Sequence, residues 1–280
     1  LYQSGQDSKT DRTHHAHEDG PITRLLLTLA YNGSAWHGWQ IQERANPPPT
    51  IQGEVEKALF ALYGQKTRLY GAGRTDAGVH AHAQAAHCDV PHLLRDTRLA
   101  INAKLPPDIR ILKAEEVAPG FHARKDALSK TYIYNFWREP TFIPPHMAPF
   151  AWNCGPLDHG RMREALEFLQ TETDFASFQN SGTDITDTVR RINFIRLEER
   201  PNEEFYPPHI PLLRMTINAN GFLKQMVRNI AGMLAWCGRS KLDASDAPAM
   251  LAKKSRAALP SPTAPACGLA LAAIEYKKIS

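Results

Sequence analysis

The chain of 280 residues carries 33 Lys and Arg against 29 Asp and Glu, a net charge of +4 that is compatible with a polyanionic partner without demanding one. Its hydrophobic fraction of 42% and charged fraction of 22% are those of an ordinary globular protein, and no apolar run reaches the roughly 18 residues that a bilayer span requires. Residues 1–20 lack the apolar core of a secretory signal, and the four cysteines (Cys88, Cys154, Cys237, Cys267) stand far apart with no Cys-x-x-Cys pair; a zinc ribbon and a dense disulfide framework are excluded, and a reducing, cytoplasmic setting is expected.

A chain of this length tends to divide into two cores. Residues 1–20 have almost nothing to bury and read as a disordered tail, in which His14, His15 and His17 beside Glu18 and Asp19 form at most a loose metal grouping. From Ile22 the run Leu25, Leu26, Leu27 and Leu29 predicts a buried strand, and Tyr31-Asn32-Gly33-Ser34 turns the chain. Trp36 and Trp39 follow beside Gly38, where core packing is the simpler reading of two large aromatics. Thr50 is placed to cap a helix carrying Ile51, Val55, Leu59 and Leu62, with Gly64 ending it.

A short strand at 67–70 leads into Gly71-Ala72-Gly73-Arg74-Thr75-Asp76-Ala77-Gly78-Val79-His80-Ala81, and a second strand at 80–90 leads out. The loop holds one carboxylate between glycines, which let a ligand or a second backbone approach closely. Taken alone it reads more readily as a surface turn in which Asp76 caps the following backbone. His80 and His82 share a strand face and His87 falls on the other, which disfavours a metal site. A helix is expected at 97–103 and a strand at 109–117.

After Pro119-Gly120 the layout begins again, placing a domain boundary near residue 118: an amino-terminal α+β domain at 21–118 and a carboxy-terminal one at 119–280. Tyr132 and Tyr134 alternate on one face of a strand. Asp158 caps a helix with Met162, Ala165, Leu166 and Leu169. Strands at 189–197 and 212–219 are joined by a proline-bearing loop made acidic by Glu198, Glu199, Glu203 and Glu204. The strongest helix spans 222–237, with Phe222, Met226, Ile230 and Leu234 along one side and Lys224, Arg228 and Gly232 forming a second stripe. A short helix at 247–253 and a strand at 269–276 follow. Short strands with few long crossovers predict an α+β protein with a mostly antiparallel central sheet.

The 71–81 loop resembles the catalytic loop of the bacterial tRNA pseudouridine synthase A family, and further landmarks follow in family order. These are Tyr31-Asn32-Gly33-Ser34 with Gly38-Trp39-Gln40, Leu105-Pro106-Pro107-Asp108-Ile109, Phe121-His122-Ala123-Arg124, Lys130-Thr131-Tyr132-Ile133-Tyr134, Met226-Val227-Arg228-Asn229-Ile230 and Ala264-Pro265-Ala266-Cys267-Gly268-Leu269. The similarity runs over 22–276. It departs at Ala83-Gln84-Ala85-Ala86-His87-Cys88, where larger apolar residues are usual, and at the insertion near 201–211.

The resemblance implies the two-domain pseudouridine synthase fold, its sheet flanked by helices, and conversion of uridine to pseudouridine at positions 38, 39 and 40 of the tRNA anticodon stem-loop. It also implies a homodimer without metal or organic cofactor. By the same resemblance Asp76 is the carboxylate that acts at the sugar of a flipped-out nucleotide, Arg228 its counterion and Tyr132 the ring that stacks on the displaced uracil. An arginine beside a carboxylate favours the charged form that such chemistry needs. Arg74 and Thr75 belong to the substrate-holding loop, Leu269 to the wall of the uracil pocket, and Arg124, Lys130 and Lys224 to the phosphate contacts. A noncatalytic RNA-binding protein would not need Asp76, Tyr132 and Arg228 together, and a metal-assisted aspartate hydrolase would need ligands that the sequence does not group.

Overall fold

The leucine run forms β1 (Thr23–Tyr31), with Leu25, Leu27 and Leu29 almost fully buried as strand alternation requires. The computed structural model describes residues 22–183, 185–200 and 212–277; the polar tail at 1–20 and the acidic stretch at 201–211 lie outside them. Helix α1 (Ile51–Tyr63) starts at its expected cap: the Thr50 hydroxyl accepts a bond from the Gly53 amide at 3.2 Å, and Gly64 ends the helix at φ 70°. Such an N-cap contributes about 1 kcal/mol. Strands β2 (Tyr70–Gly71) and β3 (His80–Val90), helix α2 (Thr97–Asn102) and strand β4 (Ile109–Glu116) complete this half.

The second half contributes β5 (Ala127–Trp137), β6 (Trp152–Asn153), α3 (His159–Glu167), β7 (Glu172–Asp174), β8 (Val189–Arg200), β9 (Leu212–Ala219), α4 (Met226–Gly238), α5 (Ala247–Ala252) and β10 (Leu269–Tyr276). Asp158 caps α3 by accepting from the Arg161 amide at 3.1 Å.

The ten strands of the described residues join one sheet in the order β4-β1-β3-β10-β5-β9-β8-β7, with β2 added on β3 and β6 on β5. The pairs are antiparallel except β10 with β3 and β6 with β5. The fold is therefore α+β with a mostly antiparallel sheet, as expected. β10 lies in the middle: Leu271 sits opposite Ala81 on one side and Tyr132 on the other. One strand thus separates the exit of the 71–81 loop from the strand that bears Tyr132.

Strands β6 and β7 were not expected, and α3 ends at Glu167, short of Leu169; three further differences have a visible cause. Strand β2 is two residues long and begins at Tyr70 rather than 67, because Leu69 turns inward to the core and its amide is taken by the Glu56 carboxylate at 2.9 Å. Strand β8 continues through Glu198 and Glu199 to Arg200, since β9 pairs with it that far. Helix α4 begins at Met226, not 222: Gln225 is left-handed at φ 60°, and Phe222 instead packs edge-on against Tyr132.

Helix α4 is also buried around most of its circumference, with Val227, Asn229, Ala231, Met233 and Cys237 as inaccessible as the expected stripe of Met226, Ile230 and Leu234. A helix apolar all round belongs inside. Gly232 makes this depth attainable, since a Cβ there would lie 2.0 Å from the Pro262 carbonyl oxygen. Gly232→Ala is therefore expected to destabilise the protein by about 2–3 kcal/mol through forced overpacking, read as a lower urea midpoint. An unchanged midpoint would show that the two backbones part without cost.

Candidate active site

The segment containing Tyr31 to Trp39 forms the bed of the 71–81 loop. The Trp39 amide donates to the Thr75 carbonyl at 3.0 Å, and the Gly78 amide donates to the Trp36 carbonyl at 3.3 Å. At Gly38 (φ +87°) a Cβ would meet the Thr75 carbonyl oxygen at 2.7 Å, so glycine is what allows the two chains to touch. Trp39 is 3% exposed, and its ring fills the space that a Cβ on Gly71 would take. Core packing is thus what Trp39 does, and Gly71 serves that packing rather than the approach of a ligand.

Below the loop, Tyr31 and Thr75 share a hydrogen bond between their hydroxyls at 2.9 Å. Gln84 donates to the Gly73 carbonyl at 2.9 Å. Burial pushes the Tyr31 phenol up to about 12, although its bonds to Thr75 and Gln84 pull the other way. It stays a neutral partner. With Gly73 and Thr75 fixed from beneath, Arg74 is left exposed and Asp76 half-exposed on the outer side.

Asp76 meets Arg228 from α4, whose Nη1 donates to the carboxylate at 3.2 Å across a sequence separation of 152 residues. The guanidinium is mostly covered while the carboxylate keeps about a third of its surface open, an arrangement that holds charge without sealing it off. Arg228 Nε also donates to the Ala264 carbonyl at 2.7 Å, and the Ala264 amide returns a bond to the Arg228 carbonyl at 3.1 Å. The arginine is therefore oriented by the backbone on its far side. A buried polar group at the start of α4 extends this support: Asn229 donates to the Phe178 carbonyl and to Asn180, and accepts from Thr263.

Tyr132 lies close enough to feel the Asp76 charge. Its phenol is raised well above the ordinary value, first by burial and then by Tyr31 and Asp76. The ring is 7% exposed, with Phe222 edge-on at 5.0 Å. Leu269 is buried at the head of β10, opposite Tyr134, and the Tyr134 hydroxyl donates to the Pro265 carbonyl at 2.8 Å.

The structure thus gathers Asp76, Thr75, Arg228 and Tyr132. Lys224 turns elsewhere, donating to the Ser181 and Gly182 carbonyls, and Arg124 stands exposed before β5. Lys130 reaches back to the loop, donating to the Ala72 carbonyl at 2.7 Å; burial, with Arg124 and Arg190 nearby, lowers its ammonium to about 8. Reasoning from sequence did not find Tyr31, Gln84 or the Ala264 carbonyl as supports. The available signals were Gln84, a lone amide within a run of alanines, and the place of Tyr31 and Ala264 in the family landmarks.

The histidines of β3 have structural partners. His80 Nδ1 accepts from the Gly33 amide at 3.0 Å and its Nε2 lies 2.8 Å from the Pro149 carbonyl oxygen, while His87 Nδ1 accepts from the Ala123 amide at 3.1 Å.

Comparison with known proteins shows the family of the chain. A family model described as tRNA pseudouridine synthase matches residues 167–277. A tRNA pseudouridine synthase A of Oleidesulfovibrio alaskensis is 44% identical over 270 residues, covering 91% of this chain and 97% of its own. Another from Nitratidesulfovibrio vulgaris is 44% identical over 278 residues, covering 91% of this chain and all of its own. A more distant one from Bordetella petrii is 38% identical, covering 91% of this chain and 92% of its own.

Proposed function

Because the chain belongs to the tRNA pseudouridine synthase A family and isomerises uridine in tRNA, we propose that it acts on positions 38, 39 and 40 of the anticodon stem-loop, with Asp76 as the reacting carboxylate. The observation that supports the role of Asp76 is its 3.2 Å pair with Arg228, drawn from distant parts of the chain into one half-open site; the positions rest on the resemblance to the family.

In the proposed course the ionised Asp76 carboxylate attacks C1′ and the C1′–N1 bond breaks, releasing uracil as its anion. The base turns within the pocket, and C5 then bonds to C1′ as the carboxylate leaves. The C5 proton is lost to solvent or a basic group, and N1 takes up a proton. An elimination route, in which the same carboxylate removes a proton from C2′, places the same demand on Asp76. Arg228 aims the carboxylate through its single Nη1 bond, a charge-assisted contact of the stronger kind.

A uridine in a stem must first be flipped out, at a cost of a few kcal/mol. Stacking on Tyr132 offsets part of this, since base–aromatic contacts contribute roughly 1–3 kcal/mol. Leu269 walls the base, Arg74 and Thr75 hold the nucleotide, and Arg124 and Lys130 meet phosphates; Lys224, bonded to the Ser181 and Gly182 carbonyls, would have to turn to join them. Residues 21–118 then supply the carboxylate, and residues 119–280 supply the arginine and tyrosine. A homodimer, needing no cofactor, completes the reading.

The test is hydrogen release from unmodified tRNA tritiated at C5 of uridine. Release is expected, and it is expected to vanish when positions 38 to 40 are all cytidine. Undiminished release from the cytidine-substituted tRNA would refute the positional assignment, and no release from any tRNA would refute the catalytic one.

A further inference from the structure

The start of the 71–81 loop is bordered by three cations, each brought there by a different part of the fold. Lys130 of β5 donates to the Ala72 carbonyl, and a Cβ on Gly73 would lie 3.5 Å from its Nζ. Ala72 packs in a small cluster with Ala123, which carries its neighbour Arg124 to the same edge. On the other side Lys130 pairs in register with Ala219, and the chain leaving Ala219 passes Gly221, where a Cβ would sit 3.5 Å from Arg190 Nε. Arg190, at the start of β8, is half-buried and had no functional reading from sequence.

These charges are poorly neutralised from within. Among the described residues neither Lys130 nor Arg124 forms an ion pair, and the one pair of Arg190 is with Asp187, at 3.9 Å and with that carboxylate 81% exposed. Arg124 and Arg190 both act on Lys130 as repelling charges. Like charges held together with only the distant, exposed Asp187 carboxylate beside them call for an external anion, and the missing side chains of Gly73 and Gly221 leave room for one to reach them.

We propose that Arg124, Lys130 and Arg190 form a single phosphodiester-binding cradle, which anchors the tRNA strand beside the flipped uridine. The proposal rests on the tRNA reading above and adds two elements to it: Arg190 as a binding residue, and the sharing of one phosphate by all three side chains. A phosphate held next to Gly73 is three residues from Asp76, so the cradle fixes the backbone adjoining the nucleotide that must turn into the site.

The test is binding of unmodified tRNA to the full chain, measured across a salt series for Arg190→Gln, Lys130→Gln and their double variant. Each single variant is expected to bind roughly tenfold more weakly, the effect of losing one charge-assisted contact, with the slope of log affinity against log salt shallower by about 0.7–0.9. Sharing of one phosphate predicts that the double variant loses less than the product of the single losses. Lys57→Gln, at an exposed position on α1, is expected to bind as the wild type does. Wild-type affinity and slope in Arg190→Gln, with an unchanged melting temperature, would overturn the proposal; so would strictly multiplicative losses, or an equal loss in Lys57→Gln. Arg190→Lys, which keeps the charge, separates loss of contact from misfolding: it is expected to retain the wild-type salt slope, and a slope as shallow as that of Arg190→Gln would overturn the proposal. Tritium release is scored on the same wild-type preparation, so a failed isomerase reading appears as binding without release and leaves the cradle to be judged on affinity alone.

Discussion

Asp76→Asn is expected to lower isomerisation by 10⁴-fold or more, on the order of the loss that removal of a reacting nucleophile causes in other enzymes, while tRNA affinity stays within about threefold of wild type. The substitution is nearly isosteric. The Asn oxygen can still accept the Arg228 bond now made at 3.2 Å, and the loop remains fixed through the Gly73 carbonyl, the Thr75 hydroxyl and the Thr75 carbonyl. The negative charge and the nucleophilic oxygen pair are lost. Single-turnover tritium release and filter binding on the same protein separate the two effects. Substantial activity in the Asn variant would remove Asp76 from the mechanism, and a large loss of affinity would make it a binding residue instead.

Arg228→Gln is expected to lower turnover by roughly 10²–10³-fold, the usual effect of losing one preorganised electrostatic partner, with a smaller change in apparent substrate affinity. The guanidinium makes two different bonds at once, Nη1 to Asp76 and Nε to the Ala264 carbonyl. It is therefore held from behind while it holds the carboxylate in front. A lysine carries the charge without the planar fork, so Arg228→Lys is expected to recover only part of the lost rate. Full activity in the lysine variant would mean that charge alone matters. The urea midpoint of each variant provides the control for α4, because Arg228 lies in its first turns.

The contrast between the two residues also marks how far the sequence could be read. Elements governed by local chemistry were legible to the residue: α1 between Thr50 and Gly64, β3 from His80, β10 from Leu269. Caps and alternation are written within a few positions. The start of α4 was not legible, because it depends on Phe222 finding Tyr132 and on Gln225 adopting a left-handed backbone that its sequence does not announce. The pairing of Asp76 with Arg228 had no local signal either; only the resemblance to a family suggested it. The bonds from Tyr31 and Gln84 to the loop went unread, since one joins two hydroxyls 44 residues apart and the other ends on a backbone carbonyl, which no residue type announces.

The position of β10 between β3 and β5 bears on how the chain folds as it is made. Until residue 276 has left the ribosome, β3 and β5 have no strand to join them, and each presents an edge that only a two-residue strand, β2 or β6, partly covers. Such edges are templates for intermolecular pairing, and closing a sheet through so distant a strand is slow because the loop entropy must be overcome before any contact rewards it. The carboxylate and its arginine therefore come together only as a late event of synthesis. Nascent chains stalled before β10 should be the species that depends most on chaperones and aggregates most readily.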